Sequence, residues 1–340
     1  MKVNRQVLLE SRPVGTPVEH NFKVVENPIR QIADGEVLIQ NLYISLDAGF
    51  RNWMKEGSGD HILPAMEIGK PVMGLTLGRV VESKNPKLPL GDLLMIRVSW
   101  EEYSISNGID EWFVHLPKGI DAPLSYYLGI LGDTGLSAYF GLTDVGKLQP
   151  GETLLVSGAG GAVGSVAGQI GKIFGARSVG IAGSDEKCQR LMDELGYDAA
   201  VNYRDTGDLS AAIGEACPNG VDVYFDNIGG SLLEAAINNI NEKARIILCG
   251  AITDYHLDEP APGPNNLFNL SKNVATMTGL MCHHQKDRYD EARHQIMDWI
   301  ESGQLRSIEY MSDGIHRVGP AFCDMFQGKN FGKTIVKLAD

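Results

Sequence analysis

Residues 156–172 read VSGAGGAVGSVAGQIGK, a segment unusually rich in glycine. A glycine inside a helix costs about 1 kcal/mol relative to alanine, so this many glycines need a reason. The apolar run Thr153–Ser157 just before them predicts a strand. Apolar residues then recur with the spacing of one buried helix face, at Val163, Val166, Ala167, Ile170 and Phe174. The glycines therefore lie at a turn from a strand into a helix, not in a flexible linker.

Gly158, Gly161 and Gly164 have the spacing GxxGxxG, with Gly160 as an extra glycine. The first allows a tight turn, and the third allows the helix to approach the strand closely. Bare main chain between them lets a pyrophosphate reach the N–H groups at the helix start, where the helix dipole favours negative charge. The alternative is a tight turn that binds no ligand.

The pattern of strands and helices changes near residue 126 of the 340. Before it, short strands separated by Gly and Pro predict a mainly β domain with barrel-like packing. After it, strands alternate with helical segments, which predicts a parallel sheet with helices on both faces. The predicted strands are 153–157, 178–182, 199–202, 221–226, 244–249 and 274–278, and a last strand at 332–337 is expected to return to the first domain.

Composition excludes several classes of function. The net charge is −13 and no basic run occurs, which argues against binding to nucleic acid or to an anionic membrane surface. No segment approaches the roughly 20 apolar residues that span a bilayer, and the N-terminus lacks the apolar stretch of a signal peptide. We therefore expect a cytoplasmic protein.

The cysteines bear on both redox state and metal binding. The chain has 5 cysteines, widely spaced and without a CxxC pair, which is typical of a reduced cytosolic protein. The first of them is Cys188, so residues 1–187 offer no thiolate for a catalytic zinc, and no four-cysteine lobe exists for a structural zinc. The sequence predicts no metal.

The end of the second strand, 178–182, indicates which dinucleotide binds. A protein that reads NAD normally places an acidic residue there, but Gly183 follows instead. Ser184 suits a helix N-cap, and Asp185 and Glu186 suit a first helical turn, so these acids have a structural explanation.

Cationic residues near this strand favour NADPH. Lys187, together with Tyr203 and Arg204 after the third strand, could meet the 2′-phosphate that distinguishes NADPH from NADH. In the alternative interpretation Lys187 is a solvated surface residue and Asp185 reads NADH.

Several motifs together resemble a known family. They are GILGDTGLSAYFG at 129–141, the glycine turn, AGSDEK at 182–187, FDNIGG at 225–230, CGAITDY at 249–255 and GKNFGK at 328–333. As a set they resemble the zinc-independent branch of the medium-chain dehydrogenase/reductase superfamily. Within it they are similar to the leukotriene B4 12-hydroxydehydrogenase, prostaglandin reductase and alkenal double-bond reductase group.

The resemblance implies an α/β fold: a Rossmann doubly wound parallel sheet plus a GroES-like mainly β catalytic domain. It places the catalytic domain at 1–128, the NADP-binding domain at 129–304 and a return to the catalytic domain at 305–340. A homodimer that forms through the edge of the dinucleotide sheet is also implied.

The resemblance implies roles for residues that match the family motifs. Those expected to bind the cofactor are Gly161, Ala162, Val163 and Gly164 at the pyrophosphate, Lys187 and Tyr203 at the 2′-phosphate, Asn227 at the ribose, Cys249, Gly250, Ala251, Ile252, Tyr255, Leu280, Met281 and Cys282 at the nicotinamide half, and Asn330 from the C-terminal segment. Three departures leave the substrate open: Gly49 where the family has tyrosine, Asp133 where it commonly has methionine, and the pair His283-His284. Adjacent residues on a strand point in different directions, so the two histidines with Cys282 are only a weak hint of metal binding, and surface or pocket histidines are the favoured interpretation.

The expected reaction is reduction of the C=C bond of α,β-unsaturated aldehydes or ketones by NADPH. Without a metal, one hydrogen-bond donor can stabilise the charge that develops on the carbonyl oxygen. Tyr255 is the candidate catalytic donor, because it follows a strand at the carboxyl end, where ligands bind. Alternatives are a Tyr255 that only forms a pocket wall, an NADPH:quinone reductase, and an NADPH-binding protein without catalysis.

Overall fold

The computed structural model describes residues 3–60, 62–109, 114–116, 121–255 and 263–340. Its strands are β1 (Val3–Leu9), β2 (Phe22–Pro28), β3 (Val37–Ser45), β4 (Met73–Ser83), β5 (Leu93–Ser99), β6 (Tyr103–Ser106), β7 (Val114–His115), β8 (Thr153–Ser157), β9 (Arg177–Ala182), β10 (Ala199–Asn202), β11 (Val221–Asp226), β12 (Ile240–Leu248), β13 (Thr276–Gly279), β14 (Glu309–Asp313) and β15 (Lys333–Lys337). Its α-helices are α1 (Asp133–Phe140), α2 (Ala162–Ile173), α3 (Asp185–Leu195), α4 (Leu209–Ala216), α5 (Gly230–Ile237), α6 (Ile252–Tyr255), α7 (Phe268–Lys272), α8 (Tyr289–Glu301) and α9 (Val318–Phe326). No helix of the described residues is long and apolar enough to cross a membrane.

The described chain divides into two units. The first comprises the described residues of Met1–Leu128 together with Tyr310–Lys329 and Thr334–Asp340. The second comprises the described residues of Gly129–Glu309 together with Asn330–Lys333. A short piece from near the C-terminus therefore belongs to the unit that contains the glycine turn.

The second unit is built on a parallel sheet with the strand order β10-β9-β8-β11-β12-β13. Successive strands run outward from β8 on one side and from β11 on the other, and every adjacent pair is parallel. This is the doubly wound arrangement, and it confirms the predicted Rossmann fold. The carboxyl ends of β8 and β11 meet where the strand order reverses, which is where such sheets open a crevice for ligands.

Close packing of α2 on this sheet explains the later glycines of the quoted stretch. A Cβ on Gly168 would overlap the ring of Tyr197, and a Cβ on Gly171 would lie 2.6 Å from the side chain of Leu154. The Tyr197 hydroxyl in turn donates to the carbonyl of Gly164 at 2.7 Å. The helix therefore sits too close to the sheet for larger residues at these positions.

The first unit is mainly β, as predicted. Its larger sheet has the order β14-β15-β3-β4-β5-β7, with β6 also paired to β3, and β1 and β2 form a separate antiparallel pair. The core is built around Trp100, whose ring centroid lies 5.6 Å from that of Phe22 and 5.2 Å from that of Phe322. Because β15 pairs with β3, the last strand of the chain lies in this sheet.

Two segments of the second unit have local structure that the sequence did not predict. The strand predicted at 244–249 begins at Ile240, which pairs with Val221 of β11. The register then shifts, so that the next pair is Val223 with Arg245, and Lys243 within the shift has a left-handed φ of 61°. β13 ends at Gly279, His283 and His284 lie on a 3-10 helix over Cys282–Arg288, and their rings stack with centroids 5.3 Å apart.

Candidate cofactor-binding site

The glycine turn leaves the start of α2 without partners. Gly158 has a φ of +58°, and its carbonyl accepts a hydrogen bond from the amide of Gly161 at 2.9 Å. Gly161 is the N-cap of α2 and offers no side-chain acceptor to the first turn. Within the part of the chain that the structure describes, the amides of Ala162, Val163 and Gly164 therefore have no acceptor. Such a helix start can bind an anion.

Side chains are excluded from this turn by close contacts. A Cβ on Gly164 would lie 2.6 Å from the Cα of Ala159 and closer still to the Gly158 carbonyl oxygen. A Cβ on Gly161 would lie 3.1 Å from that same oxygen. Only glycine fits without a shift of main chain at position 164, so the bare backbone here follows from the packing.

Asp226, the last residue of β11, accepts hydrogen bonds from β8, from β11 and from the loop that follows β11. Its Oδ1 accepts hydrogen bonds from the hydroxyls of Ser157, at 2.8 Å, and Tyr224, at 2.9 Å. The same oxygen accepts the amides of Ile228 and Gly229, both at 3.0 Å. The residue is fully buried. Asp226 thereby fixes the loop between β11 and α5, although the sequence reasoning assigned it no role. An acidic residue at the end of the apolar strand VDVYFD was the available signal.

Asn227, the next residue, is fixed by Ser157 at the end of β8. Its amide donates to the Ser157 hydroxyl at 2.8 Å, and its side-chain Nδ2 donates to the Ser157 carbonyl at 2.7 Å. The residue predicted at the ribose thus lies at the crevice between β8 and β11.

Gly183, at the end of β9, lies beside an aromatic and a cationic side chain that follow β10. A Cβ on Gly183 would lie 3.1 Å from the ring of Tyr203 and 3.3 Å from Nε of Arg204. The Ser184 hydroxyl accepts the amide of Lys187 at 3.2 Å, so Ser184 is the N-cap of α3 as predicted. Asp185 accepts a hydrogen bond from the Asn202 side chain at 2.8 Å, which supports its structural interpretation.

Lys187 lies among other cations. Burial lowers its pKa, and Arg204 and Arg190 lower it further. No acceptor for its Nζ occurs among the residues that the structure describes. Unpaired positive charge of this kind would be stabilised by an anion. The sequence reasoning missed Arg190, although its position one helical turn after Lys187 was a signal.

Tyr255 lies at the end of the short helix α6, after β12. Its hydroxyl oxygen accepts the amide of Ala251 at 3.1 Å, and a Cβ on Gly250 would lie 3.3 Å from that oxygen. Burial raises the pKa of Tyr255, so the hydroxyl keeps its proton at neutral pH. That proton has no acceptor among the described residues, and the hydroxyl can donate it to a ligand.

The residues after β13 lie beside those after β12. Leu248 is in register with Gly279, and the amide of Leu280 donates to the Leu248 carbonyl at 2.9 Å. Burial raises the pKa of Cys249 to about 12 and that of Cys282 to about 11, so both thiols stay neutral. Met281, which directly precedes Cys282, is 44% exposed. Ile252 begins the short helix α6 that carries Tyr255.

Asn330 approaches the glycine turn from the C-terminal segment. The amide of Gly332 donates to the carbonyl of Gly160 at 2.8 Å, and Asn330 donates to the carbonyl of Gly332 at 3.1 Å. The predicted site residues therefore all lie in the second unit. No group of three or more His, Cys, Asp or Glu that could hold a metal occurs among the described residues.

Comparison with known proteins places the chain in a family. Residues 5–114 match a family described as the N-terminal domain of oxidoreductase, and residues 162–301 match one described as zinc-binding dehydrogenase. Bacillus subtilis (strain 168) has a relative that bears the name NADP-dependent oxidoreductase YfmJ. It is 41% identical over 338 residues, which cover 99% of this chain and 98% of the relative.

Two further relatives carry informative names. An NADP(+)-dependent 2-alkenal reductase of Nicotiana tabacum is 36% identical over 339 residues, 99% of this chain and 98% of that protein. The crystal structure of CurA in complex with NADPH, from Vibrio vulnificus, has a TM-score of 0.90 and 34% identity, and 99% of each chain is covered.

The fold is that of the medium-chain dehydrogenase/reductase superfamily. Within it, the chain belongs to the zinc-independent group of NADP-dependent reductases that includes prostaglandin reductases and alkenal double-bond reductases. The resemblance noted in the sequence is thereby confirmed. Although the second matching family is described as zinc-binding, residues 1–187 contain no cysteine to serve as a thiolate ligand.

Proposed function

We propose that this protein uses NADPH to reduce the C=C bond of α,β-unsaturated aldehydes or ketones, without zinc. The observation that carries the proposal is the partnerless start of α2, with unpaired Lys187 on one side and the proton-bearing Tyr255 on the other. The NADPH bound in the CurA structure and the name of the alkenal reductase support it.

The chain's own residues fit NADPH. The amides of Ala162, Val163 and Gly164 would hold the bridging phosphates, and Gly161 would let them approach. Lys187, Tyr203 and Arg204 would hold the 2′-phosphate, and Asn227 would face a ribose. The nicotinamide half would be bordered by the residues from Cys249 to Tyr255 and from Leu280 to Cys282. Asn330 would contact the cofactor from the C-terminal segment.

Tyr255 would supply the stabilisation that a metal supplies in zinc enzymes. When bound, NADPH supplies a hydride for the β-carbon of an activated double bond. The π electrons then move toward the carbonyl, and negative charge develops on its oxygen. The Tyr255 hydroxyl, already oriented by the amide of Ala251, can donate a hydrogen bond to that oxygen. Tyr255 or solvent then donates a proton to the α-carbon, which gives the saturated product.

Homodimerisation through β13 is also part of the proposal. β13 is one of the two edge strands of the parallel sheet, and Thr276, Thr278 and Gly279 are exposed. Val274, just before the strand, is 65% exposed. An unpaired edge of this kind can pair with a second copy. Light scattering coupled to size-exclusion chromatography should give twice the chain mass; a monomer would contradict this part.

We also propose that residues 1–128 and 305–340 form the catalytic domain and that residues 129–304 form the NADP-binding domain. The proposed location of the protein is the cytoplasm. The location rests on the widely spaced cysteines, all free in the structure.

A cofactor-consumption assay over enals, enones, quinones and saturated ketones, with NADH in parallel, tests the proposed reaction. We expect NADPH to be consumed fastest with enals or enones. The rate of consumption should not change when a zinc chelator is added. Turnover of quinones alone would assign a quinone reductase, and binding of NADPH without any turnover would assign a non-catalytic binding protein. Activity that disappears with the chelator and returns with zinc would contradict the metal-free mechanism.

A further inference from the structure

Phe331 lies between the glycine turn and Arg190. A Cβ on Gly160 would lie 3.3 Å from the Phe331 ring, so the ring covers the main chain of the turn at van der Waals distance. The guanidinium carbon of Arg190 lies 3.9 Å from the centroid of the same ring. Phe331 is only 5% exposed. A residue from the end of the chain thus separates the phosphate-binding turn from a cation on α3.

The Arg190 side chain is fixed on two sides. Glu194, one turn further along α3, accepts its Nε at 2.6 Å and its Nη2 at 3.1 Å. The Phe331 ring stacks on the face of the guanidinium. Nη1 has no acceptor among the described residues, so one end of the planar group is available to an anion.

Arg190 also belongs to the cation cluster at the proposed phosphate site. It follows Lys187 by three residues on the same helix, and its charge acts on the Lys187 ammonium. The Lys187 stem passes over Gly160 as Phe331 does, since a Cβ there would lie 3.5 Å from Lys187 Cδ. The Phe331 ring and the Lys187 stem therefore both lie beside Gly160, and the same ring supports Arg190.

We propose that Arg190 is a specificity-determining residue for the phosphate-bearing cofactor, and that Phe331 is the residue that positions it. The inference rests on the proposed function, because it requires that the protein prefer NADPH. Its physical basis is pre-organisation: a guanidinium already held by a ring and a carboxylate loses little freedom when it meets a phosphate. NADH has no 2′-phosphate, so its binding does not depend on this arrangement.

The test compares dissociation constants of NADPH and NADH for the full-length protein by fluorescence titration. The variants are Arg190→Gln, Phe331→Leu and the double variant. We expect Arg190→Gln to lower the NADPH-over-NADH preference by about tenfold, the effect of one charge-assisted hydrogen bond. Phe331→Leu, which keeps an apolar residue but removes the ring face, should lower the preference in the same direction. The double variant should lose little more than Arg190→Gln alone, because both changes remove one interaction.

Matched controls separate positioning from general damage. Lys172→Gln removes a cation paired with Asp198 at the far end of α2, and Phe174→Leu removes a ring that packs on Trp299. Both should leave the preference unchanged. Phe331→Tyr keeps the ring face and should retain the preference even if Phe331→Leu folds poorly.

The outcomes distinguish this inference from the proposed function. A wild-type protein that binds both cofactors equally would overturn both. A wild-type preference that survives Arg190→Gln would overturn the role of Arg190 and leave the proposed function intact. Equal weakening of NADPH and NADH binding by Phe331→Leu, or additive effects in the double variant, would show that Phe331 only supports the turn.

Discussion

Gly164 and Ala159 approach each other so closely that a Cβ on Gly164 would lie 2.6 Å from the Cα of Ala159. Neither partner is a flexible side chain, so neither can move aside without shifting the turn or the helix. The contact ties the first turn of α2 to the loop that leaves β8. The same packing places the free amides at the mouth of the crevice between β8 and β11.

Gly164→Ala should therefore destabilise the protein and weaken binding of both cofactors. Overpacking of this kind costs about 1–3 kcal/mol of unfolding free energy. NADPH and NADH should be affected alike, because both carry the bridging phosphates. Chemical denaturation and fluorescence titration measure the two effects. Gly207→Ala is the control, since a Cβ there meets nothing within 4 Å; equal behaviour of the two variants would argue against a tight turn.

NADPH binding should weaken as the pH rises toward the alkaline range, whereas NADH binding should not. The pKa of Lys187 in the free protein is lowered, first by burial and then by Arg204 and Arg190. A bound phosphate favours the protonated form and raises that pKa again. The protonated Lys187 therefore contributes fully to NADPH affinity below its pKa in the free protein. That contribution is lost as the pH rises through its pKa in the complex.

Titrations of both cofactors from about pH 7 to about pH 10 check this dependence. Lys187→Ala should weaken NADPH far more than NADH and flatten the pH profile. Parallel profiles for the two cofactors in the wild-type protein, or equal losses in the variant, would place Lys187 away from the phosphate.

Tyr255→Phe should lower kcat and leave the dissociation constant of NADPH nearly unchanged. Removal of a donor from a developing oxyanion typically costs about 100-fold to 1,000-fold in kcat. The amide of Ala251 also loses its acceptor, so circular dichroism should establish that the variant is folded. Steady-state kinetics with one enone measures the effect. An unchanged kcat would make Tyr255 a pocket wall.

Glu101 should make the stability of the first unit depend on pH. Its carboxyl group is buried, and it accepts hydrogen bonds from Asn4, Gln6 and Ser104, with burial raising its pKa. A raised pKa in the folded state means that the unfolding free energy is highest below the unfolded-state pKa of about 4.3 and falls as pH rises to the folded-state value.

Glu101→Gln removes this dependence. The variant should therefore gain stability relative to wild type as the pH rises from acid to neutral, measured by denaturant unfolding at several pH values. The exposed Glu56→Gln is the control. A constant difference between Glu101→Gln and wild type at every pH would contradict the raised pKa.

Local sequence patterns predict the second unit better than the first. Strands such as 199–202 and 221–226 have the predicted bounds, because sheets covered on both faces produce short, continuous apolar runs. The glycine spacing also predicts the turn and the N-cap of α2. The start of β12 at Ile240 was not predicted, because the polar residues after it lie at a shift of register with β11 and carry no strand pattern of their own.

Some residues of the candidate site can be predicted from local sequence, and others cannot. Motif residues such as Gly164 and Lys187 can be identified from the sequence, because they lie within a single strand–turn–helix segment. Phe331 cannot be connected to Arg190 in this way, because about 140 residues of chain separate them and only the fold brings them together. Asp226 was likewise missed, because its partners lie on two strands.

Transfer of an isotopic label distinguishes reduction of the C=C bond from reduction of the carbonyl group. The protein should be incubated with NADPH that carries deuterium at the transferable position and with an α,β-unsaturated ketone, and the product analysed by NMR. We predict a saturated ketone with one deuterium on the β-carbon. An allylic alcohol with the label on the carbonyl carbon and an intact C=C bond would contradict the proposed reaction.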